Sequence, residues 1–277
     1  MSKYIYKASK IFMYLILIFT IIISIFPVLW VFMSAFKTNA QIFNDPFSLP
    51  ESFNISGFQY VLGNYNFGLY LKNSLIVSLI STIVSVVIYS MAGYVFAKFD
   101  FPFKNMLYSL FIITLLVPAQ AKAQPIFSLL TNLKLTNSLT GLTFVYVSLG
   151  MAMSMFILRN AFESIPDELN EAASIEGASF WQKFWKINFP LAKNGVVTSG
   201  ILMFLTNWNE YFFASLLTSS EKVRTLPVAL QFFNESFSYD YTQLFSALSI
   251  VILPGIIIYT VAQDRVQQSF ASSGVKG

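Results

Sequence analysis

Three groups of side chains in this 277-residue chain have types and spacings that could do work. The first is Glu171-Ala172-Ala173-Ser174-Ile175-Glu176-Gly177-Ala178, with Phe180 just beyond; nine residues separate Gly177 from Ile187-Asn188-Phe189-Pro190. Leu169, Ala172, Ala173 and Glu176 recur at three- and four-residue intervals, the spacing of one helix face, and alanine there permits close approach of a partner surface. Gly177 stands where the chain must turn or pack tightly, since glycine accepts backbone angles that other residues resist. The second group is Asn207, Asn209 and Glu210, with Trp208 and Tyr211 between and beside them, inside an apolar run. Polar groups in such a setting are costly and are functional candidates by default. The third is Gln120, Lys122 and Gln124, set between Pro118 and Pro125. Bond-making chemistry is poorly supplied. Histidine and cysteine are both absent, which removes the commonest general base, disulfides and thiol-metal sites. No G-x-x-x-x-G-K-[ST] phosphate loop occurs either, so nucleotide phosphates have no such cradle here.

The elements that must position these groups are membrane helices. The chain is 56% hydrophobic and only 11% charged, whereas soluble domains carry about a quarter charged residues. A span needs roughly 20 apolar residues. Six are read: Ile11 to Phe36, Asn73 to Ala97, a third from Phe103 to about Gln120, Ser138 to Leu158, Gly195 to Leu217, and Ser246 to Ala262. The first follows Lys3, Lys7 and Lys10 and is too long for a secretory signal. Pro118 and Pro125 end the third, leaving a tilted segment to Leu133, and Pro254-Gly255 predicts a bend in the sixth. The whole chain, residues 1–277, is read as one membrane domain with its core at about 73–265.

Six spans place both termini on one side. Eleven basic residues (Lys3, Lys7, Lys10, Lys98, Lys104, Arg159, Lys183, Lys186, Lys193, Arg265 and Lys276) share that side with the Glu171 loop, against six on the other. Basic loops face the cytoplasm, so the loop of about residues 159–193 is expected there. The net charge of +4 is modest and points away from nucleic acid. Within the loop, Pro166-Asp167-Glu168 reads as a helix start. A second helical stretch, Ser179 to Ile187, carries Phe180, Trp181, Phe184 and Trp185 and is closed by Pro190.

Each group has a plainer explanation. An amphipathic helix lying on the membrane would use Trp181, Lys183, Trp185 and Lys186 in the same way. The amides of the fifth span could join a partner's helices or cap a helix break, and Lys122 could snorkel to water. Ser74, Ser78, Ser81 and Ser85 line one side of the second span and argue for tight helix packing.

The loop spacing resembles the EAA loop of ABC importer permeases: EAA, three residues, Gly, nine residues, Ile-x-Leu-Pro. Phe189 stands where Leu is usual, Glu176 where Asp is common, and Asn194 near the place of a second proline. The stretch from Ala92-Gly93-Tyr94 to Phe101-Pro102 is similar to one in sugar-importer permeases, as are Trp208-Asn209-Glu210-Tyr211, Arg224-Thr225-Leu226-Pro227 and the tail Gly274-Val275-Lys276-Gly277. The resemblance is to the maltose-permease-G-like subunit of the carbohydrate branch and covers most of the chain from Asn73 onward.

The resemblance implies an all-α membrane protein of six transmembrane helices, with the type I importer permease fold and a cytoplasmic coupling helix. Glu171, Ala172, Ala173, Glu176, Gly177, Ala178 and Phe180 would dock on an ATPase, as would the tail from Asp264. Asn207, Asn209, Glu210, Tyr211 and Gln120 are candidates for the substrate pathway, because amides and carboxylates bond sugar hydroxyls while aromatic faces pack on the ring. The implied partners are a second permease subunit, two cytoplasmic ATPase subunits, an extracellular solute-binding protein, membrane lipid and a sugar. The chain would bind no cofactor or metal of its own, ATP and Mg2+ lying in the partner ATPases, and it would sit in a bacterial cell membrane, driven through alternating access. Glycerol phosphate, a polyamine or an amino acid are rival cargoes. Lys122 alone near a span offers little to an anion. A self-sufficient secondary transporter is a more distant rival, since Glu210 is the one clear intramembrane acid and the Glu171 loop would go unexplained.

Overall fold

The computed structural model describes residues 2–233 and 240–274, and among these no strand occurs. In chain order the helices are α1 (Ser2–Ser34), α2 (Asn39–Asn44), α3 (Ser56–Asn64), α4 (Phe67–Lys98), α5 (Lys104–Ile113), α6 (Ala123–Asn132), α7 (Leu139–Leu149), α8 (Met151–Glu163) and α9 (Glu168–Ile175). There follow α10 (Phe180–Gln182), a π-helical segment (Lys183–Asn188), α11 (Phe189–Leu191), α12 (Lys193–Trp208), α13 (Phe212–Leu217), α14 (Leu226–Ala229) and α15 (Tyr241–Gly274). Short 3-10 turns fill several of the joints.

Three stretches are long and apolar enough to cross a membrane unaided: Ser9–Ser34, Phe67–Lys98 and Tyr241–Val261. Three more reach that length only as bent pairs. Lys104–Leu116 with Ala119–Asn132 turns by 108°, Leu139–Leu149 with Met151–Glu163 by 51°, and Phe180–Leu191 with Lys193–Trp208 by 78°. The count therefore reaches up to six. Pro118 sits at the first of these breaks, where a proline removes a helix donor. The second falls at Gly150, inside what the sequence reads as an unbroken fourth span; glycine is a weak helix former. Pro254 behaves differently, since α15 continues through it, as spanning helices often do when neighbours satisfy the freed carbonyl. Val275-Lys276-Gly277 of the tail motif lies outside the described residues.

The contacts sort into two compact units. One contains residues 1–67 and 230–253. Its core joins Ala35, Ile42 and Phe245, with Trp30, Phe58 and Tyr241 packed around them. Lys37 is fully buried there; its ammonium donates to the carbonyls of Asp45 at 3.1 Å and Pro46 at 3.0 Å, which meets the rule that buried polar groups find partners. The other unit contains residues 68–229 and 254–277 and carries two clusters. Val77, Leu130, Leu142, Tyr146, Phe213 and Leu217 anchor one. Tyr94, Phe96, Leu158, Phe162, Phe184 and Ala192 anchor the other, beneath the α9 loop. That loop and its supports lie wholly within this second unit.

Candidate functional site

The α9 helix begins one step later than its proline suggests. Pro166 lies outside the helix, Asp167 is the N-cap, and Glu168 and Glu171 occupy the first turn, where carboxylates oppose the helix dipole. Its end is a Schellman turn. The Ala178 N–H donates to the Ala173 carbonyl at 2.9 Å and the Gly177 N–H to the Ser174 carbonyl at 3.1 Å, with Gly177 at a φ of +78°. That pair of bonds requires a left-handed residue at this position, and glycine takes it without strain. A Cβ at Gly177 would meet nothing within 4 Å, so the glycine serves the turn and not an internal contact.

The two central alanines point different ways. Ala173 is buried, 7% exposed, while Ala172 is exposed. The reading that placed both on one docking face is therefore corrected: adjacent helical residues lie about 100° apart, and the cluster of Phe162 and Phe184 claims one of them. The outward face carries Ala172, Leu169 at 43% exposure and Ile175 at 88%, edged by the exposed Glu168, Glu171 and Glu176. Ala178 is half-buried. Phe180 is partly exposed and packs its ring on Tyr94 at 5.6 Å and Phe99 at 5.7 Å.

Polar contacts fix this helix from below. Lys98, at the end of α4, reaches the Ile165 carbonyl and pairs with Asp167 at 2.7 Å. Lys183 donates to the Ser174 hydroxyl at 3.1 Å. Asn170 and Asn188 exchange two hydrogen bonds, 3.2 Å and 2.7 Å. A cavity of about 310 Å³ lies among them, lined in part by Tyr94, Lys98, Asp167, Asn170, Glu171 and Lys183. The next helix opens on a capping box between Ser179 and Gln182, and then widens into the π-helical segment, where the Phe189 N–H bonds back five residues to the Phe184 carbonyl. Pro190 does not close this helix but sits inside α11. Its missing N–H and its ring disfavour ordinary α-helical pairing one turn back, and a π turn absorbs the misfit.

The intramembrane group is arranged quite differently. The expected single span from 195 to 217 stops at Trp208 and resumes at Phe212. Glu210 lies in the gap, and its two carboxylate oxygens accept the N–H groups of Phe213 at 2.8 Å and Ala214 at 3.0 Å. The carboxylate thus caps α13, the plainer of the two roles the sequence allowed. Asn209 is exposed and bonds the Leu205 carbonyl at 2.8 Å. Asn207 is 2% exposed, and among the described residues neither atom of its amide finds a hydrogen-bond partner. Tyr211 is 44% exposed. Gln120 is exposed in the turn after Pro118, apart in sequence from the others. Among the described residues no group of acids could hold a metal ion.

Residues 89–272 match the model of the family described as binding-protein-dependent transport system inner membrane component. The chain belongs to that family. As an inner-membrane component of this kind it is a multi-pass membrane protein of a binding-protein-dependent transport system, and α9 is the helix that carries its EAA-type sequence. The chain is 33% identical over 256 residues to the diacetylchitobiose uptake system permease protein NgcG of Streptomyces coelicolor, covering 92% of this chain and 85% of that one. It is 30% identical to the trehalose transport system permease protein SugB of Mycobacterium tuberculosis, over 92% and 93% of the two chains. A bacterial ABC transporter involved in the import of alginate holds a chain that superposes with a TM-score of 0.82 at 23% identity, covering 93% of this chain and 96% of that one. The fold is that of an ABC importer permease.

Sequence reasoning passed over several residues that hold the permease's loop together. Lys98 reads there as a charge and as part of the stretch from Ala92 to Pro102, Asn188 as the variable position of the loop motif, and Asn170 carries no signal. The two asparagines stand 18 positions apart, a separation with no helical or strand period to draw attention to it.

Proposed function

We propose that this permease moves a sugar or oligosaccharide into the cytoplasm by ATP-driven alternating access, and that α9 is the piece through which a separate ATPase drives it. One observation carries the coupling reading: an eight-residue helix presents Ile175, Leu169 and Ala172 to solvent alongside the exposed acids Glu168, Glu171 and Glu176, while Lys98, Asn170, Lys183 and Asn188 beneath it find partners inside the chain. Exposed apolar patches with polar rims mark interaction surfaces. The sugar cargo rests on the relatives named for diacetylchitobiose and trehalose.

In this reading the chain performs no catalysis and binds no cofactor. ATP and Mg2+ reside in two cytoplasmic ATPase subunits, since the chain carries no phosphate loop. A second permease subunit completes the pathway, a solute-binding protein delivers cargo from outside, and both termini face the cytoplasm with the α9 loop. Glu171, Glu176, Gly177, Ala178 and Phe180 frame the docking surface. Ala172 touches the partner, and Ala173 holds α9 to its own bundle. Closing of the ATPases moves α9, and the bundle rocks between its inward- and outward-facing forms.

The test is ATP hydrolysis and sugar uptake by the complex, reconstituted with its ATPases and binding protein, comparing wild type with Gly177→Asp. Aspartate tolerates the left-handed angle comparatively well, and nothing in this chain lies where its side chain starts. A joint fall in hydrolysis and uptake with assembly intact therefore reports on the partner surface. Unchanged activity in both assays would sink the coupling reading.

A further inference from the structure

Movement received by α9 must reach the spans, and the backbone route is indirect, through the Schellman turn and a capping box. A shorter route exists through side chains. Asn188 is fully buried. Its Nδ2 donates to Asn170 Oδ1 at 2.7 Å and to the Lys183 carbonyl at 2.9 Å, and its Oδ1 accepts from Asn170 Nδ2 at 3.2 Å. An amide side chain has two donor hydrogens and one carbonyl oxygen, and here all three are engaged. Two antiparallel bonds between planar amides fix both distance and orientation, which a lone contact does not. A further polar link from α9 to this helix, Lys183 to Ser174, is exposed and ends on a long lysine side chain.

Asn188 also occupies the last position of the π-helical segment. By bonding the Lys183 carbonyl, its side chain braces the widened turn across its own length. Its backbone carbonyl accepts the Ala192 N–H at 2.8 Å, and the Ala192 carbonyl accepts the Val196 N–H at 3.0 Å. That run crosses the 78° bend into α12. Just beyond the bend, a Cβ at Gly195 would stand 2.3 Å from the Ala161 Cβ, so α12 is seated directly on α8. The links from α9 to the packed bundle are thus continuous and mostly buried.

We propose that the Asn170–Asn188 amide pair is a closed clasp that makes α9 and the start of the fifth span one rigid lever, with both asparagines acting as positioning residues in energy coupling. The proposal rests on the reading of α9 as the coupling helix. A clasp of this kind stays shut throughout the transport cycle, and its loss leaves ATP hydrolysis running while less of it is converted into movement of the spans.

The chain has no cysteine, which permits a direct test in proteoliposomes containing the full complex, with cysteine-free partner subunits. The quantity read is sugar transported per ATP hydrolysed. Asn188→Leu and Asn170→Leu are expected to lower it about tenfold, within the usual range for coupling between sites, while the complex assembles. Asn170→Asp keeps an acceptor for Asn188 Nδ2 but sets a carboxylate oxygen against Asn188 Oδ1 where a donor stood, and is expected to lower the ratio as well. The double variant Asn170→Cys, Asn188→Cys is expected to be uncoupled as prepared, and to regain its ratio once a short bifunctional thiol reagent joins the pair. Wild-type ratios in both leucine variants, or a cross-link that blocks uptake, would overturn the clasp. If Gly177→Asp still abolishes activity in that case, the coupling reading survives without it. If Gly177→Asp is also silent, both fall together.

Discussion

The α9 loop and the break in the fifth span hold similar residues, asparagines and acids beside aromatic rings, and put them to opposite use. Around α9 the polar groups are matched to one another, Lys98 to Asp167, Asn170 to Asn188 and Lys183 to Ser174, with the amide pair the most deeply placed. The face left over exposes Leu169, Ala172 and Ile175 among three acids. At the break, Glu210 is committed to two backbone N–H groups, and Asn207 is buried with its amide unmatched among the described residues. A surface that must transmit force is rigid within and adhesive without. A helix break inside a membrane first has to satisfy its own backbone, and that requirement consumes the very carboxylate that looked like a substrate ligand.

That contrast can be broken or sharpened by substitution. Lys98→Met should have the largest effect, since it strips the Ile165 carbonyl and Asp167 of a nearly buried ammonium. The expected cost is about 1–3 kcal/mol of local stability, seen as faster hydrogen exchange in α9. Asp167→Asn should cost much less, because Asp167 is 75% exposed on its side chain and exposed ion pairs contribute little. Equal effects would mean that the ion pair, and not the buried carbonyl contact, secures the loop.

Glu210→Ala should lower stability by about 1–2 kcal/mol, the usual cost of losing a cap, with a matching fall in Tm of the detergent-purified complex. An unchanged Tm with weakened sugar uptake would instead place the carboxylate on the substrate. Gly177→Ala should cost about 1 kcal/mol, from the left-handed angle alone, and hydrogen exchange at Gly177 and Ala178 would register it. Asn207→Leu should leave stability unchanged or raise it by up to about 1 kcal/mol, because a buried amide that finds no hydrogen-bond partner in the described chain gives way to an apolar side chain of similar size. Loss of uptake at constant Tm in that variant would show that Asn207 serves the pathway or a partner permease.

Much of the fold was legible in the sequence because lipid imposes simple rules. Apolar length marked the spans, and Pro118 announced the 108° break. The Gly177 turn could be read from its residue type, since few alternatives tolerate a φ of +78°. The interruption at Glu210 was less visible. A glutamate flanked by aromatics within an apolar run looks the same whether the helix continues or stops, and only the position of the Phe213 and Ala214 N–H groups decides. The different directions of Ala172 and Ala173 were equally hidden, because identical side chains carry no sign of which one the aromatic cluster will cover.

The sequence by itself determined that this chain lies in a membrane, carries no G-x-x-x-x-G-K-[ST] pattern, and holds a helix–glycine–helix loop of a specific spacing. Those properties depend on composition and on neighbours within a few turns, where residue type and backbone geometry are directly linked. The tertiary structure alone decided which polar side chains meet. Lys98 reaches Asp167 across 69 positions, and Asn170 reaches Asn188 across 18. Such pairings depend on how helices are aimed at one another, and the π turn and the bends that aim them arise from packing and from backbone bonds that no local pattern records.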